Sequence, residues 1–280
     1  MKTYSSKPLR AEEVRELNCI LCSGTAQRFL MQVGVSRFVK CLDCGLVYQN
    51  PQPVFRDLQQ RYQGDYFQYE IENEQNFFNL MKLGLEDIGL KCPMPSMFEN
   101  GRFLDIGCAT GLLCEYMKNC GWDSTGLDIC GPSCAFGRRE RQLNLINKPL
   151  EQAAFADQSF SLIHASHLIE HVVDPCGFFK EIYRIMSKKG FGIFTTPNIA
   201  GFQARIFGSS WRSAIEDHLF LFDIRSFTQL LEQSGFRILK KITWGGLAKG
   251  RAPGWIKRIL DFMAKKMGFG DVMLFYFCKR

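Results

Sequence analysis

Phe103, Leu104 and Ile106 form a short apolar run that meets Gly107 and Gly111 and then passes into helix-forming Leu112 to Lys118. An apolar run ended by glycines and followed by a helical stretch predicts a buried parallel strand turning tightly into a helix. The same alternation continues downstream. Trp122 to Ile129 predicts a second strand, Cys134 to Gln142 a helix, Leu143 to Ile146 and Phe160 to Ala165 two more strands. Phe178 to Met186 has an amphipathic helical period, with Lys188-Lys189-Gly190 expected to end it. Phe191 to Thr195 predicts a strand, Ile224 to Gln233 a helix stopped by Gly235, and Phe236 to Trp244 and Asp271 to Cys278 the last two strands. Strands alternating with helices predict a doubly wound α/β domain. Ahead of it, Arg10 to Leu17 predicts a short helix, while RFLMQV and SRFVKC predict two short strands. Val54 to Tyr62 and Tyr69 to Leu90 predict helices flanking Gly64 and a cluster of Tyr62, Tyr66, Phe67 and Tyr69.

Composition narrows the class. The chain has 280 residues, 46% of them hydrophobic, enough for one large core or a domain with a small module. No apolar run reaches the ~18 residues of a membrane span, and MKTYSSKPLR lacks the apolar segment of a secretory signal, so a cytoplasmic protein is expected. The net charge of +7 is local: residues 237–280 carry +9 and the remaining 236 sum to −2, which argues against a general nucleic-acid surface. Of twelve cysteines, eight are scattered and are expected to be reduced thiols. The other four form Cys19-x-x-Cys22 and Cys41-x-x-Cys44, with 18 residues between the pairs. That spacing predicts a tetrahedral four-thiolate zinc site, structural because no coordination position stays open. Only Arg28, Arg37 and Lys40 are basic within this module, so nucleic acid is not its favoured partner.

The glycine turn should present backbone N–H groups and a helix N-terminus to a ligand above the strand. Its G-x-x-x-G spacing lacks the middle glycine of the dinucleotide fingerprint, and Asp105 lies two residues before the first glycine. A carboxylate there would repel a pyrophosphate and suits an ammonium. Asp128 follows Asp105 by 23 residues, near the ~20-residue offset of a ribose-diol acceptor. One acid for an ammonium and one for a ribose fits S-adenosylmethionine. At these residues, LDIGCATG and TGLDI, the sequence resembles the first and second motifs of the class I S-adenosylmethionine-dependent methyltransferases. The resemblance implies a Rossmann-like sheet of seven strands with an antiparallel last strand. It also implies cofactor contacts from Asp105, Gly107, Cys108, Gly111, Asp128 and Ile129, with Ala109 standing where the family has its central glycine.

CLDCGLVYQNPQP resembles the end of the zinc module carried by a subgroup that acts on sugars and related small molecules. This implies three parts: a zinc-ribbon-like module at 1–53 that covers the active-site mouth or shapes the substrate pocket, a helical connection at 54–98 whose Tyr66 closes over the cofactor, and a methyltransferase domain at 99–280.

In open α/β sheets, ligands sit beyond the carboxyl ends of the strands, so acceptor chemistry must come from those loops. SHLIEHVVDP resembles a Glu-His-Val-x-x-Pro segment whose histidine faces the substrate, which makes His171 a candidate general base or orienting group. Ser161 stands where the family usually has Asp. Beyond Thr196-Pro-Asn198, EDHLFLFDIRSFTQLLEQSGF resembles a stretch with a histidine ahead of a covering helix, which makes His218 the second candidate. Methyl transfer is an in-line displacement that asks the protein for positioning and, with a hydroxyl acceptor, deprotonation. No carboxylate–histidine spacing suggests metal chemistry at these histidines.

The expected activity is methyl transfer to a small molecule, foremost a nucleotide-linked or lipid-linked sugar or related metabolite. A zinc-module RNA base methyltransferase is opposed by the weakly basic ribbon and by the missing (Asn/Asp)-Pro-Pro-(Tyr/Phe) tetrapeptide. A non-catalytic cofactor-binding scaffold is opposed by intact Asp105, Gly107, Gly111 and Asp128. Residues 254–268 place seven large apolar side chains on one helical arc with Lys and Arg opposite. They predict either a helix packed on the sheet or a dimer partner, or an interfacial helix peripheral to the inner membrane face. The sequence leaves the acceptor atom and the oligomeric state open.

Overall fold

The computed structural model describes residues 13–54, 65–245, 264 and 268–280. The expected helices at 10–17 and 54–62 fall partly, and the amphipathic stretch at 254–268 almost wholly, outside the described residues.

The chain opens with β1 (Val14–Arg15), β2 (Gln27–Val33), β3 (Ser36–Cys41), β4 (Val47–Gln49) and β5 (Gln52–Pro53). Val14 and Arg15 pair antiparallel with Pro53 and Gln52, so this stretch is extended rather than helical. A partner strand outweighs a weak local helical preference. β2, β3 and β4 form an antiparallel sheet, with Cys19 and Cys22 in the turn ahead of β2 and Cys41 and Cys44 at the β3–β4 turn. Then come α1 (Asp65–Asp87), β6 (Arg102–Ile106), α2 (Leu112–Asn119), β7 (Asp123–Asp128), α3 (Gly131–Arg141), β8 (Asn144–Asn147), β9 (Phe160–Ser166) and α4 (Pro175–Ile185). The chain closes with β10 (Met186–Pro197), α5 (Phe202–Phe207), β11 (Phe220–Leu221), α6 (Ile224–Gln233), β12 (Phe236–Trp244) and β13 (Val272–Lys279).

Seven strands form the main sheet in the order β12-β13-β10-β9-β6-β7-β8. β13 runs antiparallel between β10 and β12, while the five central and distal strands are parallel. This is the Rossmann-like sheet with an antiparallel last strand. The expected stop at Lys188-Lys189-Gly190 does not end a helix: α4 already ends at Ile185, and β10 runs through these residues with an irregularity between Met186 and Phe191. Asp174 caps α4 by accepting from the Gly177 N–H, which is why this helix starts sharply at Pro175. Cys92 and Cys120 are bridged as a disulfide, which corrects the expectation that every cysteine outside the two pairs is a free thiol.

The cysteine module does not stand apart. β11, contributed by residues 220–221, pairs with β4 and completes a four-stranded sheet in the order β11-β4-β3-β2. Cys19, Leu21, Val39 and Tyr48 share one continuous core with Leu104, Ile163, Phe179 and Phe227. The boundary near residue 53 is thus crossed by a strand.

Candidate active site

The cofactor side is built from the ends of β6 and β7. Gly107 and Gly111 have φ of 75° and 83°, a left-handed backbone that favours glycine. At Gly111 a Cβ would also approach Leu143 Cδ1 to 2.7 Å, which that leucine could relieve, so it is the backbone conformation that favours glycine there. Ala109 has φ of 49°. The family's missing central glycine therefore leaves an alanine in left-handed backbone, at a cost of order 1 kcal/mol. The turn is less open than expected. Gly107 and Cys108 N–H donate to the Leu127 carbonyl at 2.7 and 3.2 Å, Ala109 N–H donates to Asp128 Oδ2 at 2.8 Å, and Gly111 N–H to the Cys108 carbonyl. These donors tie β6 to β7 instead of facing a ligand.

Asp128 borders a cleft together with Gly107 and Ile129 on one wall and His167 and His171 on the other. Its Oδ1 accepts from Cys130 N–H at 2.7 Å, so each carboxylate oxygen holds one backbone donor and keeps a lone pair for a ligand. Burial pushes this carboxyl up to about 6, with the nearby Asp105 adding to the shift and the backbone donors opposing it. The structure does not bring Asp105 onto the cleft wall. It is 2% exposed, and its Oδ1 meets His164 Nδ1 at 2.7 Å. Cys108 and Gly111 also lie behind the lining, with Cys108 buried beside Leu113 and Cys114. Tyr66 belongs to the first turn of α1, and its side chain lies outside the described set. From the same helix Glu70 reaches the cleft and accepts from Ser133 Oγ, while Glu74 accepts from Thr110 Oγ1 at 2.8 Å and pairs with Arg141. α1 is thereby clamped over the glycine turn.

The acceptor side gathers three of the chain's four histidines around one buried carboxylate. Glu170 and His171 occupy a 3₁₀ turn at 169–171 after β9, and His218 arrives from the loop before β11. Glu170 is 0% exposed, and its Oε2 accepts from Thr196 Oγ1 at 2.9 Å. Its Oε1 lies 3.3 Å from His167 Nδ1 and 4.0 Å from His218 Nε2. Burial works against ionising Glu170, but His167 beside it and the other surrounding imidazoles outweigh it and hold the carboxyl down at about 2. Burial, reinforced by His171, pushes His218 down to about 3. The two rings of His171 and His218 meet edge to face at 4.6 Å. His171 Nδ1 lies 2.9 Å from the Asp217 carbonyl and His218 Nδ1 lies 2.8 Å from the Ser213 carbonyl. A carbonyl only accepts, so each Nδ1 carries the proton and each Nε2 keeps its lone pair. The sequence patterns therefore missed a grouping: Glu170, His171 and His218 each place a ligand atom within 4.8 Å of the others and could hold a metal ion. Adjacency of Glu170 and His171 in a 3₁₀ turn hides the set from any helical ligand spacing.

His218 is held by the cysteine module. Gln49, fully buried, donates through Nε2 to the carbonyls of Glu216 and His218 at 2.6 and 2.9 Å, and its backbone N–H donates to Leu219 O. In return, Leu219 N–H donates to the Glu170 carbonyl at 2.8 Å. In the module itself Cys19 Sγ lies 3.3 Å from Cys44 Sγ, and Cys22 Sγ 3.5 Å from Cys41 Sγ. Tetrahedral bonds of about 2.3 Å to one zinc ion would set the sulfurs about 3.8 Å apart, so the four thiols fit such an ion with small adjustment.

A strand–glycine turn–helix with an acid at the end of the next strand, under a seven-stranded sheet with an antiparallel last strand, defines a class I methyltransferase architecture. A methyltransferase-domain family matches residues 75–241, more than half of the chain. The chain belongs to the class I S-adenosylmethionine-dependent methyltransferases. It is 29% identical over 132 residues to the ubiquinone biosynthesis O-methyltransferase of Cereibacter sphaeroides (strain ATCC 17025 / ATH 2.4.3), covering 45% of this chain and 53% of that protein. To the Maricaulis maris protein of the same name it is 30% identical over 148 residues, covering 48% and 58%. The chain thus spans about half the length of the curated relatives it matches. In fold it is similar to an S-adenosylmethionine-dependent methyltransferase from Archaeoglobus fulgidus, with a TM-score of 0.54 at 19% identity over 76% of this chain and 99% of that one.

Proposed function

We propose that the protein transfers a methyl group from S-adenosylmethionine to a hydroxyl oxygen of a small-molecule acceptor. The observation that carries this reading is that His171, whose Nδ1 proton is held by the Asp217 carbonyl so that Nε2 can accept a proton, lines the same cleft as Asp128 and Gly107. Asp128 would accept from the ribose hydroxyls, with Gly107 and Ile129 against the nucleoside. When bound, S-adenosylmethionine supplies an electrophilic methyl group on its sulfonium. His171 takes the acceptor's proton as the oxygen reacts, and neutral His218 packs against His171 to fix its ring. The O-methyltransferase names of the relatives favour oxygen as the acceptor atom. Within that class the ribbon's resemblance favours a nucleotide-linked or lipid-linked sugar or a related metabolite.

The ribbon at 1–53 holds a structural zinc ion in this reading, shaping the acceptor mouth of the domain at 99–280 through β11, with 54–98 as the connection over the cofactor. Among the described residues no helix is long and apolar enough to cross a membrane, and a lipid-linked acceptor would be met by peripheral contact through 254–268. Calorimetry tests the cofactor half: S-adenosylmethionine should bind, and Asp128→Ala should weaken it by about 1–3 kcal/mol through lost charge-assisted hydrogen bonds. Tighter binding of NAD would overturn the assignment. Mass spectrometry of metabolites from strains with and without the gene would reveal the acceptor, and a product methylated on carbon or nitrogen would refute the hydroxyl reading.

A further inference from the structure

We propose that Glu170, His171 and His218 form a second metal site, distinct from the four-cysteine site, that binds one first-row divalent cation at the acceptor wall of the cleft. The inference rests on the proposed acceptor role of that wall and refines it: with the cation bound, His171 Nε2 is a ligand and the cation acidifies the acceptor hydroxyl, so His171 acts as the base only in the cation-free site. Three features go beyond proximity. First, Glu170 Oε1 is fully buried and no well-aligned donor reaches it among the described residues, its polar neighbours being His167 Nδ1 at 3.3 Å and His218 Nε2 at 4.0 Å. A buried carboxylate oxygen left without a donor is costly, and a cation beside it removes that cost. Second, both imidazoles hold their Nδ1 protons against main-chain carbonyls, at Asp217 and Ser213, which leaves each Nε2 lone pair for a ligand, that of His218 4.0 Å from Glu170 Oε1. Third, all three candidate ligands have an outer partner that fixes their orientation: Thr196 Oγ1 on Glu170, the Asp217 carbonyl on His171 and the Ser213 carbonyl on His218. Metal-binding imidazoles and carboxylates are supported in this way, and the support sets both the tautomer and the affinity.

The ligand atoms already lie within 4.8 Å of one another, so bonds of about 2.0–2.2 Å need only side-chain adjustment. Two neutral nitrogens and one carboxylate with the remaining positions open suit Mn²⁺, Fe²⁺, Co²⁺ or Zn²⁺ rather than a four-thiolate environment. Of the three ligands His171 lines the cleft, so the site adjoins it. An oxygen of the acceptor can complete the shell there, which selects acceptors bearing a hydroxyl or carboxylate oxygen able to bind a metal. His167, on the same cleft with its side chain 42% exposed, stands beside Glu170 as the group through which water and protons reach the site.

The test uses the full chain with its cysteine site loaded with zinc, titrated with Mn²⁺ and followed by electron paramagnetic resonance. Binding of one equivalent of Mn²⁺ is expected, with affinity lowered at least about tenfold in both Glu170→Gln and His218→Gln. Retained S-adenosylmethionine affinity shows that a variant is folded, and His218→Gln carries the test if Glu170→Gln does not fold. Co²⁺ in place of Mn²⁺ should give weak ligand-field bands without the intense thiolate charge-transfer band that the cysteine site would produce. Wild-type protein that binds S-adenosylmethionine but takes up neither Mn²⁺ nor Co²⁺ at millimolar concentration would overturn the proposal. So would a His218→Gln variant that binds Mn²⁺ as tightly as wild type. Loss of S-adenosylmethionine binding by wild type would instead refute the methyltransferase reading itself.

Discussion

The cofactor wall is made by residues 103–129, nearly consecutive in the chain, whereas the acceptor wall joins Glu170 and His171 to His218 through a strand shared with the cysteine module. On the first wall, main-chain atoms do most of the work: the Leu127 carbonyl and the Asp128 carboxylate gather the N–H groups of the turn. On the second, side chains dominate, and each is oriented by a segment remote in sequence, Thr196 on Glu170, Asp217 on His171 and Gln49 on the His218 loop. Local construction makes the cofactor wall insensitive to what happens elsewhere. Long-range construction makes the acceptor wall depend on the docking of the module.

The largest contrast is expected from His171→Ala. Removing a proton acceptor on the acceptor wall should lower kcat by about 10²–10⁴-fold with the acceptor identified by mass spectrometry. Cofactor affinity, set by the opposite wall, should hold. Near-normal kcat in this variant would mean that positioning alone drives the transfer.

A smaller effect belongs to the cofactor wall and depends on pH. Burial raises the Asp128 carboxyl to about 6, so acid protonates it and removes an acceptor from the ribose hydroxyls. S-adenosylmethionine binding should therefore weaken as pH falls through about 6, by about 1 kcal/mol for the lost charge-assisted bond. Stability moves the other way at this residue. A carboxyl raised above its unfolded value of about 3.9 takes up its proton more readily in the native state, so its contribution to stability rises as pH falls through about 6 and lessens as pH rises through it. Calorimetric titrations across that range, compared with Asp128→Asn, separate the two: a pH response that persists in the Asn variant would assign the effect to another group.

These two walls also differ in how far the sequence reveals them. The turn at 107–111, the acid at Asp128 and all seven main strands follow from apolar runs, glycines and spacing, because each rests on neighbours in the chain. The bonding of the turn's N–H groups to Leu127 was not legible, since it depends on the register between β6 and β7. His171 and His218 are visible as motif residues, yet their meeting is not, because 47 positions separate them and the gap is closed by long-range bonds: β11–β4 pairing, Leu219 N–H on the Glu170 carbonyl and His171 on the Asp217 carbonyl. Glu170 was hidden beside its histidine for the same reason: its role comes from burial and from what surrounds it. At the N-terminus, Arg10 to Leu17 has a helical composition, but Val14 and Arg15 find strand partners at Gln52 and Pro53, which no local pattern announces.

Hydrogen–deuterium exchange of the zinc-loaded chain, before and after chelation of the cysteine site, tests most directly the claim that one wall is local and the other borrowed from the module. The amides that cross the junction, Gln49 and Leu219, together with β11, should lose protection when the metal is removed, because they are bonded through the module. Amides of β6 and β7 should keep theirs. Uniform loss across both walls, or unchanged protection at 219–221, would contradict the account.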